Sequence, residues 1–112
     1  MTTIRTIINN AATILGMNNA ERDFNVLLRC FNLMIAQVAA AARIPTQEYE
    51  DPETPFDDFP LSSQGLTYGL LAEYAFLNGM FNEARVWTVR FEQLLFKEVT
   101  GAQRVTLPRR RA

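Results

Sequence analysis

Residues 24–42 read Phe24-Asn25-Val26-Leu27-Leu28-Arg29-Cys30-Phe31-Asn32-Leu33-Met34-Ile35-Ala36-Gln37-Val38-Ala39-Ala40-Ala41-Ala42. Phe24, Leu27, Leu28, Phe31, Met34, Ile35, Val38 and Ala42 recur at steps of three and four, which makes one continuous stripe over about five helical turns. A large apolar side chain contributes roughly 1.5–3 kcal/mol when fully buried, so this stripe must face a core. The alanine run 39–42 favours helix and lets another helix approach closely. Pro45 stops the helix. Cys30 lies beside the stripe and reads as a small buried hydrophobe.

Upstream, Ile4, Ile7, Ile8, Ala11, Ile14 and Leu15 repeat the same period. Thr2 or Thr3 can cap that first helix and Gly16 can end it. Asn18 and Asn19 offer caps for the second helix, with Glu21 and Asp23 in its first turn. Downstream, residues 44–61 hold Pro45, Pro52, Pro55 and Pro60, a spacing no helix can run through. This segment is expected to be an extended, solvated loop with room for a short strand, anchored by Tyr49, Phe56 and Phe59. A loop of that length inside a small domain is usually functional or disordered.

Ser62 or Ser63 then caps a third helix bearing Leu66, Leu70, Leu71, Tyr74 and Leu77, and Asn78-Gly79 forms its terminating turn. A fourth helix is expected from about Phe81 to Val99, with Met80, Ala84, Trp87, Phe91, Leu94 and Leu95 on one face. Trp87 belongs with that core face rather than with a recognition surface. Gly101 closes the helix, and residues 102–112 lack periodicity. The fold class is therefore all-α: about four helices in residues 1–101, a long acidic loop, and a basic C-terminal arm at 102–112.

The chain's 112 residues suffice for one hydrophobic core and are too few for two. No apolar run is expected to reach the roughly 20 residues that span a bilayer. The start, Met1-Thr2-Thr3-Ile4-Arg5, lacks the pattern of a secretory leader, so the chain reads as intracellular. Histidine is absent and Cys30 is the single cysteine. These absences remove the commonest neutral-pH base, the commonest metal ligand, any intrachain disulfide and every Ser-His or Cys-His nucleophile. Ser62 and Ser63 are explained as caps, and Lys97 lies on a helix surface. No catalysis, metal or cofactor is expected.

Charge is unevenly placed. Glu48, Glu50, Asp51, Glu53, Asp57 and Asp58 crowd the loop, while Arg104, Arg109, Arg110 and Arg111 crowd the arm. Seven bases against twelve acids leave residues 1–101 at −5, and the arm carries +4. The loop has no glycine and lacks the ligand alternation of a calcium loop. It fits a solvated loop or a contact with a neighbour's arginines. The arm has three possible uses: non-specific phosphate binding, docking on an acidic protein groove with Val105 and Leu107 as anchors, or simple solubilisation. Its Val105-Thr106-Leu107-Pro108 stretch favours the groove.

Two helices carry a second apolar set. Val86, Val89 and Phe96 lie opposite Phe91 on the fourth helix. Val26, Leu33, Ala36 and Ala40 do the same opposite Phe31 on the second. Helices apolar on two sides sit centrally or pack on a neighbour. Val26, Leu33, Val86, Val89 and Phe96 are therefore the expected subunit interface.

The order of features adds a resemblance. Ile14-Leu15-Gly16 precedes a helix with Leu28, Phe31-Asn32 and Met34-Ile35. The acidic loop leads to Phe59-Pro60-Leu61, then to Gly65-Leu66-Thr67-Tyr68-Gly69-Leu70-Leu71-Ala72 and a last helix with a basic tail. Over nearly its whole length the chain resembles the head-to-tail adaptors of tailed bacteriophages, the head-completion or tail-accessory factors that bind the portal. The resemblance implies a helical body in a ring, commonly dodecameric, beneath the portal at the head–tail junction of the virion, after synthesis in the host cytoplasm. Such a ring extends the DNA channel, retains the genome and joins tail or nozzle proteins. DNA would pass through without sequence-specific binding, and no membrane is involved. Carried over by position, Arg104, Val105, Leu107, Pro108, Arg109, Arg110 and Arg111 would form the portal-docking arm. The loop acids and the outer faces of helices two and four would meet other subunits or the channel. Cell-wall hydrolysis, associated with one member of the broader group, gains no support from a chain without histidine. The chain stops soon after the arm, so functions that longer members place in a long tail are not expected.

Two rivals stand beside this reading. One is a small nucleic-acid-binding regulator using helices three and four as a helix-turn-helix. Arg85, Arg90 and Lys97 suit it, but Glu83, Glu92 and Glu98 and the acidic body oppose DNA approach. The other is a phage assembly chaperone that binds a partner transiently.

Overall fold

A computed structural model describes residues 2–16 and 23–100. Its helices are α1 (Ile4–Leu15), α2 (Phe24–Ala42), α3 (Ser63–Leu77) and α4 (Phe81–Leu95), followed by a π-helical turn, Phe96–Thr100. The all-α bundle is the fold that the periodicity implies. Residues 101–112, and with them the arm, lie outside the described residues, as do Asn18, Asn19 and Glu21.

Local signals set most helix ends. The Thr3 hydroxyl accepts the Thr6 amide at 3.3 Å to start α1. Gly16 ends α1 in the left-handed region (φ 74°), where a side chain would be strained. Ser62 caps α3 through its hydroxyl, which accepts the Gly65 amide at 3.3 Å. After α3, the Met80 and Gly79 amides bond back to Ala75 and Phe76, closing a Schellman turn with Gly79 at φ 73°. The same pattern ends α2, where Ile44 and Arg43 donate to Ala39 and Ala40. There the left-handed residue is Arg43 (φ 60°) instead of glycine.

Asp23 differs from expectation. It stands at the cap position of α2, not inside the first turn, and makes no side-chain cap bond. Its ψ of 9° is not the extended geometry from which a cap side chain reaches the next amides.

Helix α3 is the centre of the bundle. Gly65, Leu66, Thr67, Gly69, Leu70, Leu71, Ala72 and Ala75 are all buried, and α1, α2 and α4 each pack on it. Gly69 marks the tightest crossing. A Cβ there would collide with the Met34 side chain of α2 and stand 2.8 Å from the Phe91 ring of α4. The core gathers Ile4, Ile7 and Ile8 of α1, Leu27 through Val38 of the α2 stripe, the α3 leucines, Phe91 and Val99. Two residues assigned to core faces are exposed instead: Ile14 and Leu77. Each sits in the last turn of its helix, and Ile14 borders a groove against the start of α3 instead of entering the core.

Helix α2 spans 19 residues at a mean hydropathy of 1.5, so by length and composition it could cross a membrane, contrary to the expectation. Here its stripe fills the bundle core. The loop forms no strand among the described residues, only a single antiparallel bridge between Thr3 and Pro55.

The fourth helix does not stay α-helical to Val99. After Leu95 it widens to π-type turns, which take up about one more residue per turn. In a regular helix Val99 would stand about 80° from Phe91 around the axis. The wider turn brings it back toward that face, and Val99 is buried in the core.

Candidate interaction surfaces

The acidic loop is a strap across the start of α1. The Ile4 and Arg5 amides, which lack partners within their own helix, donate to the carbonyls of Thr54 (3.1 Å) and Pro52 (2.8 Å). Phe56 donates to the Thr2 carbonyl at 2.8 Å, and Asp57 accepts the Thr2 amide at 2.9 Å. Arg5 pairs with Glu53 at 2.7 Å, both side chains well exposed. On the inner side, Phe56 is buried edge-on against Phe31 (5.3 Å), with Tyr49 and Phe59 each 4.9 Å from it. These are the anchors expected of the loop. Its acids point outward: Glu48, Glu50, Asp51, Glu53, Asp57 and Asp58 are all exposed. Asp51 folds the turn beneath it by accepting the Glu53 amide at 2.9 Å. Among the described residues no three carboxylate or thiol groups converge as a metal cage.

The apolar residues assigned to a subunit interface are exposed. Val26, Leu33, Val86, Val89 and Phe96 range from 41% to 51% exposure. Leu33 lines a groove of about 590 Å³ between α2 and loop residues 46–50, beside Glu48 and Glu50. Val89 lines a second groove, of about 340 Å³, with Ala72, Phe76, Phe81 and Ala84.

Sequence reasoning missed the most prominent part of that second surface. Phe76, Leu77 and Phe81 are 60–64% exposed around the α3–α4 turn, and the two phenylalanine rings meet edge-on at 5.7 Å. Their nearness to the Asn78-Gly79 turn is the signal that could have found them, because the last residues of a helix reach past its core. A third groove, of about 570 Å³, runs along the loop between Ile44, Pro55, Phe59 and Pro60, with Asp57 and Asp58 on its rim.

Other residues have structural explanations. Trp87 is half-buried, stacked on Tyr68 at 5.6 Å and covered by the Arg90 guanidinium at 5.3 Å. Cys30 is fully buried. Burial first, then the charge of Glu73, push its thiol up to about 11, only partly offset by Arg29. It is a packed thiol with no nucleophilic character at neutral pH. On α4 and the π-helical turn after it, the exposed Glu83, Arg85, Arg90, Glu92 and Lys97 mix both signs.

Compared with protein-family models, curated proteins and solved structures, the chain matches none.

Proposed function

We propose that this chain is a virion structural protein without catalytic chemistry, a head-to-tail adaptor that forms a ring beneath the portal. The ring extends the DNA channel, retains the genome and joins the tail. One observation supports this reading beyond the resemblance: exposed apolar side chains border two different grooves, Leu33 the one between α2 and the loop, and Phe76, Phe81 and Val89 the one on α3–α4. A two-fold dimer needs only one self-complementary patch. A ring is built by a head-to-tail contact between two unlike patches, and the two grooves are the proposed sides of that contact. The outward acids of the loop also suit a channel or junction beside DNA, since they repel phosphates. The arm at residues 104–111 is the proposed portal contact.

Mass photometry of the purified chain, alone and mixed with a portal ring, tests the proposal. Monomer alone, and a discrete mass increase on the portal that disappears on deletion of residues 102–112, is the expected result. No added mass, together with salt-sensitive DNA binding, would replace the adaptor by the small nucleic-acid-binding regulator. Transient association that leaves no stable complex would favour the assembly chaperone.

A further inference from the structure

The chain leaves the bundle beside the loop. Glu98, in the π-helical turn, accepts the Ser62 amide at 2.9 Å, and Val99 next to it is buried in the core. Ser62 follows Leu61 and Pro60, and Pro60 lines the third groove. Thr100, the last described residue, therefore lies a few residues' span from one end of that groove. Eight extended residues cover roughly 25 Å, enough to run along it.

The groove and the arm match in two independent respects. Its walls are apolar, supplied by Ile44, Pro55, Phe59 and Pro60, with half-buried Tyr49 at its base. The arm offers Val105, Leu107 and Pro108 to such walls. Asp57 and Asp58 stand on the rim, and Glu48 and Glu50 line the adjoining groove, which shares Gln47 and Tyr49. The arm brings Arg104 and Arg109 to Arg111. Tethering supplies the rest, because a segment joined to the body is present at a high effective concentration.

We infer that residues 103–111 dock in the groove of Ile44, Pro55, Asp57, Asp58, Phe59 and Pro60 on the same molecule, so that the chain holds its own arm until a partner takes it. This concerns the isolated chain and stands whatever that partner is. In the docked state Val105 and Leu107 leave water and the arginines meet the rim acids. A partner must compete with this contact, and salt weakens it by screening the charges.

The test places a nitroxide on Ala112→Cys in the full chain and reads amide broadening by NMR at low protein concentration. Cys30, buried and protonated, stays unmodified, which intact mass verifies. The amides of Ile44, Gln47, Asp58 and Phe59 are expected to lose most of their intensity. The signals should return in Arg109→Glu/Arg110→Glu/Arg111→Glu, and equally in Asp58→Lys. Unbroadened groove signals, or broadening centred on Phe76 and Phe81, would overturn the inference. Isotope-labelled chains mixed with nitroxide-bearing unlabelled chains separate the remaining case: broadening seen only between molecules assigns the groove to a second copy's arm and rejects self-docking. Portal binding in mass photometry is a separate readout, so failure here leaves the adaptor reading to its own test.

Discussion

Asn32 holds the backbone of Tyr49 from both sides. Its Oδ1 accepts the Tyr49 amide at 2.8 Å, and its Nδ2 donates to the Tyr49 carbonyl at 3.0 Å. The same Nδ2 also reaches the Leu28 carbonyl at 3.2 Å. One side chain thus does for the loop what a neighbouring strand would do. Asn32→Ala leaves both Tyr49 groups without that partner, and the expected loss is about 1–3 kcal/mol in urea unfolding. Asn32→Asp keeps the acceptor and loses the donor, so it should also destabilise. A neutral Asn32→Ala would show that the loop is held by its aromatic anchors alone.

The loop's two kinds of anchor should differ sharply in weight. Arg5 and Glu53 are both well exposed, and such a pair contributes less than about 1 kcal/mol. Phe56 is buried against Phe31, and its truncation costs about 3–5 kcal/mol. Glu53→Gln should therefore leave the thermal midpoint nearly unchanged while Phe56→Ala lowers it markedly. Equal effects would mean that the ion pair carries more than its exposure permits.

Gly69 is fixed by its neighbours rather than by its backbone. Gly69→Ala puts a methyl group against Met34 and Phe91 at the crossing of α2, α3 and α4. Overpacking of this kind costs typically about 1–3 kcal/mol. The gain in helix propensity, about 1 kcal/mol, opposes it. Net destabilisation, read as a lower urea midpoint, is the expected outcome, and Met34→Ala in the same chain should relieve the clash.

Cys30 gives the fold an alkaline limit. Its folded pKa, about 11, lies above its ordinary value of 9.0. The unfolded chain therefore ionises first, and the thiol's contribution to stability is complete below pH 9 and lost as pH rises toward 11. Stability measured across that window should fall with a slope that is absent from Cys30→Ala. A thiol reagent at pH 8 should react at the rate of global or local opening.

Two unlike surfaces make a prediction that one surface does not. On the proposed ring, Leu33→Asp and Phe81→Asp should each abolish assembly on the portal, because each spoils one side of every contact. Mixed together, the two variants retain one intact pairing, Leu33 of one with Phe81 of the other. With the portal ring present, they should then add to it as discrete pairs in mass photometry. Such pairs would be absent if both residues belonged to a single self-complementary patch.

How far the sequence could be read follows from the range of each interaction. The α2 stripe, the Thr3 and Ser62 caps and the Gly16 and Gly79 stops depend on residues within one turn of each other, and all are visible in the chain. The central place of α3 was not. Its buried residues include Gly65, Gly69, Ala72 and Ala75, which share one face at steps of four and three but are too small to stand out as an apolar stripe. The hold of Pro52 and Thr54 on the amides of Ile4 and Arg5 was equally hidden, since carbonyls are alike in every residue. For the surfaces, period picked out Leu33 and Val89 correctly as exposed. It could not show that they border separate grooves, because that depends on how α2 and α4 are set against α3.

The strap over α1 also bears on the order in which the chain folds. The free amides at the head of α1 find their acceptors at Pro52 and Thr54, so during synthesis the first helix to emerge waits for the loop. Short isolated helices are marginal in water, and α1 is only 12 residues long. The loop's carbonyls supply partners that the first turn of α1 cannot find within its own helix. A break in the loop would therefore be felt first at the opposite end of the chain, as fraying of residues 4 and 5.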